Sequence, residues 1–341
     1  MRKRFNPDLP SRLVQSCPRY AITTWRRPDA WIDNLELLGK PAGITAAIND
    51  CGILAYSHVA TSAFRHASAS PKILFQMQPH PVSVRKALLA DTLLPNFEDS
   101  AFNELNWPDE AFETYSREPL LADPCLASST YTCETLLENG VRRERVAVLP
   151  YGVDVDFVVP GQNKSEKFTV LFVGQLVRQK GLHYLIEAWR QLKLPNAQLR
   201  IAGAPSPGNS RFLRNYCPEA VLLGFLGSAS LRSQYQNADW LCLPSLSEGF
   251  GHVVLEAIAG GTPALVTPSC GASDLIRDNE NGLVISYANL DQLVERLGWA
   301  FENRASVQDM GAAARKTAEQ HSWTRFRQEV VQNLQRVPAA S

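Results

Sequence analysis

The chain has no excess of charge of either sign, no long apolar run and no paired-cysteine motif, and each absence removes a class of function. Lysine and arginine together number 34, as do aspartate and glutamate, so the formal net charge is zero and nothing marks the whole chain as a binder of polyanions such as nucleic acid. No apolar stretch reaches the roughly eighteen residues of a membrane span, and none follows Met1 as a signal peptide would require. The cysteines number 7, at positions 17, 51, 125, 133, 217, 242 and 270, with no C-x-x-C pair among them. An odd count without paired spacing reads as reduced, cytosolic usage, so a cytoplasmic location is expected. Walker A, H-E-x-x-H and G-x-S-x-G motifs are missing as well, which leaves ATPase, zinc-protease and serine-hydrolase readings without their chemistry. No internal repeat or low-complexity tract is visible.

What is present is an alternation of short apolar runs with helical patterns. In the second half the runs Thr169–Val173, Gln198–Ala202, Ala220–Leu223, Trp240–Leu243, Ala264–Val266 and Gly282–Ile285 alternate with helical stretches. These stretches are His183–Leu192, Ser230–Asn237, Val253–Ala259 and Leu290–Phe301. Such alternation calls for a parallel, doubly wound α/β sheet. In the first half Ile53–Tyr56, Lys72–Gln76, Pro124–Ala127 and Val146–Leu149 read as strands and Tyr131–Glu138 as a helix, whereas Met1–Lys40 holds four prolines and no clear strand. A length of 341 residues and 45% hydrophobic composition fit two globular domains. Their expected limits are 1–157 and 168–321, joined by a Pro- and Gly-containing linker at 158–167 and followed by a helix and tail at 322–341. The first forty residues carry eight basic side chains, Arg26 and Arg27 among them, against four acids. A solvated basic face is the simpler reading of that bias, and peripheral contact with the anionic inner face of a membrane is the sharper one.

The most informative stretch is Ala238–Thr267. Trp240–Leu243 is a strand-length apolar run, Pro244, Ser245, Gly249 and Gly251 break it into a loop, and a helix follows until Gly260-Gly261-Thr262-Pro263 stops it. A loop at the carboxyl end of a parallel strand that leads into a helix start presents unpaired amides and the positive end of the helix dipole, a place for phosphate. Glu256, on the first turns of that helix, can accept hydrogen bonds from a ribose diol, and Glu248 in the loop can reach sugar hydroxyls beyond the phosphates. Alone, either acid reads as a solvated surface charge; together in this context they imply a nucleotide sugar.

The segment PSLSEGFGHVVLEAIAGGTP, with Glu248 and Glu256 separated by seven residues, resembles the signature of retaining glycosyltransferases of family 4, within the group 1 glycosyl transferases, which have the GT-B fold. The matches VAVLPYGVDVDF at Val146–Phe157, LFVGQLVRQKG at Leu171–Gly181, LLGFLGSASLRSQYQNADWLCLPS at Leu222–Ser245, ASDLIRDNENGLVI at Ala272–Ile285 and SWTRF at Ser322–Phe326 follow in the family's order. The resemblance covers Ala122 to Phe326 and is weak before that. It implies two Rossmann-like, doubly wound parallel-sheet domains facing a cleft, with the C-terminal helix crossing back onto the first. A family member normally opens with an apolar strand, a glycine-rich loop and a helix, which Met1–Lys40 does not offer, so the first domain is expected to be reduced, with fewer strands than the second.

The resemblance also implies roles. Lys180 would hold the donor's diphosphate with backbone amides from Gly251, His252, Val253 and Val254, near Gly174. Glu248, Gly249, Phe250 and Gly251 would hold the sugar, Glu256 the ribose, and Gly224, Phe225 and Leu226 would border the nucleobase. Glu248 and Lys180 are thus the expected catalytic pair. Where the family usually has arginine after the glycine, this chain has Gln175. A charge-assisted hydrogen bond contributes about 1.5–3 kcal/mol against about 0.5–1.5 for a neutral one, so the diphosphate should be held more weakly unless Arg178 compensates. His58, Gln78 and His80 are the acceptor-side candidates in the first half. Asp154-Val155-Asp156 matches an Asp-x-Asp metal motif, but it lies in the segment that resembles the interdomain crossover, so no metal and no cofactor beyond a UDP- or GDP-linked co-substrate is expected. The leading reading is a metal-independent, retaining transferase of a hexosyl group, of the kind used in polysaccharide biosynthesis, acting on an unidentified acceptor. The alternatives are a sugar-nucleotide-binding homologue without acceptor chemistry and a related-fold epimerase.

Overall fold

The structure is a computed structural model and describes residue 44 and residues 52–67, 71–97, 104–161 and 166–336. The basic segment with Arg26 and Arg27, part of the linker, and residues 337–341 lie outside the described residues. Two parallel sheets make up an α/β architecture of two Rossmann-like halves. The first contains β1 (Ile53–Tyr56), β2 (Lys72–Gln76), β3 (Cys125–Ala127) and β4 (Val146–Val148), side by side in chain order. Its helices are α1 (Ala60–His66), α2 (Pro81–Ala90), α3 (Asp109–Arg117) and α4 (Thr130–Glu138).

The second sheet contains β5 (Phe168–Val173), β6 (Ala197–Ala202), β7 (Val221–Gly224), β8 (Trp240–Leu243), β9 (Ala264–Val266) and β10 (Gly282–Val284). Its spatial order is β10-β9-β8-β5-β6-β7, every pairing parallel. Strands β5 and β8 are covered on both faces and read accordingly as near-continuous apolar runs, broken only by Thr169, rather than alternating ones. The helices are α5 (Leu182–Leu192), α6 (Pro207–Tyr216), α7 (Ser228–Asn237), α8 (His252–Ala259), α9 (Leu290–Glu302) and α10 (Arg304–Glu319). Among the described residues the first sheet has four strands and the second six. Sequence periodicity does not mark α1, α2, α3, α6 and α10. For α2 and α6 a local signal existed, since each begins with proline behind a capping side chain, His80 and Ser206. None of the described helices is long and apolar enough to cross a membrane.

Each half has its own apolar core, but the division is not clean. Val84 and Leu88 of α2, with Phe97 beyond it, are buried in the core of the second half. In the other direction, the final helix α11 (Trp323–Gln335) lays Phe326, Val330 and Leu334 on Ile73, Phe75 and Leu126 of the first sheet. Phe326 meets the rings of Phe75 at 6.0 Å and Tyr151 at 5.7 Å, edge-on and tilted arrangements that aromatic pairs favour. Phe326 is only half-buried, so Phe326→Ala should cost about 1–3 kcal/mol, below the 3–5 of a fully enclosed phenylalanine. A lower urea midpoint with unchanged m-value would show it; an unchanged midpoint would mean that α11 does not stabilise this face.

Candidate functional site

The strand order of the second sheet reverses between β5 and β8, whose onward connections leave in opposite directions. At such a switch point the carboxyl ends of the two strands open a crevice that no connection covers. The loops there are Gly174–Gly181 and Pro244–Gly251. They are stitched together by the Gln179 carbonyl, which accepts the Leu246 amide at 2.9 Å. Gly181 takes a left-handed φ of 72° and backs directly onto the Pro244 carbonyl, where a Cβ would collide; only glycine satisfies both constraints. Lys180 precedes it in a single 3-10 turn, and its ammonium pairs with the Glu248 carboxylate across the crevice. Glu248 is 6% exposed. Its amide donates to Ser269 O at 2.8 Å and its carbonyl accepts the Gly271 amide at 2.9 Å, which fixes the peptides on both sides of it. Burial lowers the Lys180 pKa to about 8, so the ammonium depends on an anionic partner to stay charged.

Helix α8 starts beside this pair. Gly251 precedes it, and no side chain caps its first turn, which leaves early amides facing the crevice. The Val254 amide is not one of them: it donates to Gly251 O at 2.8 Å within the turn. The Phe250 ring is buried against Tyr151 at 5.1 Å, and its carbonyl accepts the Ala272 amide at 2.5 Å. Phe250 therefore shapes the loop, and of its polar groups only the amide is left to face a ligand. Glu256 accepts the Tyr235 hydroxyl at 2.8 Å and lies 3.5 Å from His252 Nδ1. Burial works against charge on both members of that pair. Hydrogen bonds from His252 and Tyr235 nevertheless lower the Glu256 pKa, and those with Glu256 and Gly152 raise that of His252. His252 also stacks on Trp323 at 5.5 Å and meets the Gly152 carbonyl at 2.9 Å, joining the ribose-side acid to α11. Val253 is half-buried.

The remaining residues singled out in the sequence are more dispersed. Gln175 is exposed on the β5 loop. Arg178 is fully committed elsewhere: its guanidinium pairs with Asp91 and donates to the carbonyls of Leu93 at 3.1 Å and Leu94 at 3.0 Å. It therefore does not stand in for the arginine that Gln175 replaces. Gly224, Phe225 and Leu226 end the edge strand β7, two inter-strand spacings or about 10 Å from β5, and the Phe225 ring is 84% exposed. Asp154 Oδ1 accepts the amides of Asp156 at 3.2 Å and Phe157 at 3.0 Å, a turn-forming use of the first acid of Asp-x-Asp. A groove of about 590 Å³ opens at the opposite, amino ends of β8 and β9, by Asp239, Pro263 and Arg315. Two of its charged groups are spent internally, Arg315 on three carbonyls and Asp239 on Arg304.

In the first half, His80 caps α2: its Nδ1 accepts the Val82 amide at 3.3 Å and Nε2 faces Ser116 O at 2.8 Å. Both ring nitrogens of His80 are thus used inside the protein. His58 is turned into the rings of Trp107 and Tyr115, and burial lowers its pKa to about 4, leaving it neutral. Gln78 alone reaches the site, with its Cα at the Gly249 backbone. Asp91, which no motif announced, gathers Arg178, His183 (2.8 Å) and Tyr184 (3.0 Å) from the second half. Burial opposes its charge, but these partners hold its pKa below the ordinary value.

Comparison with known proteins fits this geometry. Residues 157–317 match the family profile described as Glycosyl transferases group 1. A glycosyltransferase of Methanocaldococcus jannaschii, itself uncharacterized, is 35% identical over 184 residues, 50% of this chain and 45% of that protein. The D-inositol 3-phosphate glycosyltransferase of Paenarthrobacter aurescens is 27% identical over 211 residues, 56% of this chain and 52% of the relative. The chain spans about half the length of the curated relatives it matches. Sucrose-phosphate synthase from Thermosynechococcus elongatus superposes with a TM-score of 0.76 at 17% identity, covering 98% of this chain and 88% of the other. Anabaena HepE, in a complex with UDP and glucose, gives 0.67 at 18% identity, with 88% and 82% covered. These likenesses show the GT-B fold. The part of the chain that bears both crevice loops, residues 157–317, is accordingly a glycosyl transferases group 1 domain within a GT-B architecture.

Proposed function

We propose that the chain is a cytoplasmic, configuration-retaining, metal-independent glycosyltransferase that moves a hexosyl group from a UDP- or GDP-linked donor to an acceptor bound by the first half. The observation that carries this reading is the Lys180–Glu248 pair at the switch point, before the uncapped start of α8. A cation there can neutralise a leaving diphosphate, and early amides of α8 can share its charge. An arriving diphosphate competes with Glu248 for the ammonium and frees the carboxylate to accept a sugar hydroxyl. Glu256, held by Tyr235 and His252, receives the ribose. The anomeric carbon–phosphate oxygen bond breaks and the acceptor oxygen bonds the same carbon on the same face, while the acceptor's proton passes to the departing phosphate. The HepE complexes with UDP and UDP-glucose support a uridine-linked donor as the first to assay.

Hydrolysis of a panel of nucleotide sugars tests the reading: release of free sugar supports it, binding without turnover identifies a sugar-nucleotide-binding homologue, and an epimerised product identifies an epimerase. Three outcomes are expected beyond that. Glu256→Ala should weaken donor binding, whereas Glu248→Gln should lower kcat more than affinity; a loss confined to KM at Glu248 would mean that it binds ground state and transition state alike. Nucleoside diphosphate affinity should fall as pH rises through about 8, because Lys180 is protonated and attractive below that value and neutral above it; Lys180→Ala should bind weakly with no such step, and a step that persisted in the variant would assign it to another group. Chelation by EDTA should leave turnover intact, and restoration by Mn²⁺ of an EDTA-abolished activity would contradict the reading of Asp154 and Asp156.

A further inference from the structure

The start of α4 in the first half reaches across to the loop that carries Glu248. The hydroxyls of Ser128, Ser129 and Thr132 are buried, and all three donate to one atom, the Gly249 carbonyl oxygen, at 3.0, 2.6 and 3.0 Å. A carbonyl oxygen offers two lone pairs, so this acceptor is saturated by side chains from the other half alone. Gly249 must lack a side chain for this approach, because a Cβ would strike the Met77 carbonyl. The same helix start makes two further crossings, Tyr131 Oη to Ser247 Oγ at 3.0 Å and the Thr130 amide to Asp274 Oδ2 at 2.7 Å. Both peptides that flank Glu248 are held from within the second half, one by the Ser269 carbonyl and one by the Gly271 amide, whereas the next peptide, Gly249–Phe250, is gripped by the three hydroxyls only while the halves are together. Parting the halves would leave these donors to water and release the loop on that side.

We propose that Ser128, Ser129 and Thr132 are positioning residues for sugar transfer: by gripping the Gly249 carbonyl they aim the Phe250 amide of the same peptide, next to Glu248, at the donor only in the closed molecule, so the acceptor-side half switches on the donor loop. The inference rests on the sugar-transfer reading above and adds the residues that couple closure to it. All three act through the Gly249 carbonyl.

The test uses the full chain with Ser128→Ala/Thr132→Val. This double variant removes two of the donors while Ser129 keeps capping α4 through its bond from the Thr132 amide at 3.0 Å. With UDP-glucose, or whichever donor the panel selects, kcat should fall about tenfold while affinity for the matching nucleoside diphosphate stays within about twofold. Thr132→Ser, which restores a donor, should return kcat to within about twofold of wild type, a recovery that loss of packing alone would not give. If the double variant fails to fold, the near-isosteric Thr132→Val carries the comparison, with a smaller fall in kcat at unchanged affinity expected. A folded variant with wild-type kcat, or one that loses kcat and nucleotide affinity in equal measure, overturns the coupling while the sugar-transfer reading stands. A wild-type chain that turns over no donor removes both.

Discussion

Because β5 and β8 lie side by side with connections that depart to opposite edges of the sheet, their carboxyl ends frame a crevice that the backbone itself cannot fill. Everything at the candidate site depends on that reversal. It brings Lys180, from the loop after β5, to Glu248, from the loop after β8, and it places α8 so that its start faces the same space. The close backbone contact at Gly181 and Pro244, with the hydrogen bond from Leu246 to Gln179, removes slack between the loops. A cation and an acid that meet with little water between them are costly to leave unpaired, which makes the pair responsive to an incoming anion.

Besides the apolar contact of Val84, Leu88 and Phe97 with the second core, the two halves meet through two polar clusters. On one side Asp91 binds Arg178, His183 and Tyr184, and on the other the hydroxyls beside α4 bind the Gly249 carbonyl. Breaking a buried ion pair by removing one partner costs about 3–5 kcal/mol, yet water can satisfy both partners when the halves separate as bodies. Such an interface is stable when closed and still able to open, the usual property of contacts between domains. The crossing of α11, by contrast, is apolar and ties the end of the chain to the first sheet through Phe326, Val330 and Leu334. His252 links the two kinds of contact, with Trp323 of α11 on its face and Glu256 at its edge.

Much of this is legible in the sequence. The strands Ile53–Tyr56, Lys72–Gln76, Trp240–Leu243 and Ala264–Val266 occupy the limits that their apolar runs mark, and α8 begins one residue before its apolar pattern. The less regular elements of the first half were harder to read. Helix α3 is amphipathic, but it is short, rich in acids and buries only Ala111 and Tyr115, so it offers no apolar run to mark it. His80 illustrates a different limit: a histidine before proline at the end of a strand has the sequence context of a cleft residue, and only the positions of Val82 and Ser116 make it a cap.

What the sequence determined by itself is local in origin: where apolar runs make strands, where glycine and proline break them into loops, and which acids and bases those loops carry. These follow from side-chain periodicity and backbone sterics, which act over a few residues. Only the tertiary structure decided where the polar side chains go. Arg178 turns to Asp91, 87 positions away, instead of toward the crevice, and the Ser129 hydroxyl finds the Gly249 carbonyl across 120. No local rule selects such partners, because a buried polar group is satisfied by whatever the packing of the two halves brings within reach, and the chain order of donor and acceptor carries no trace of that choice.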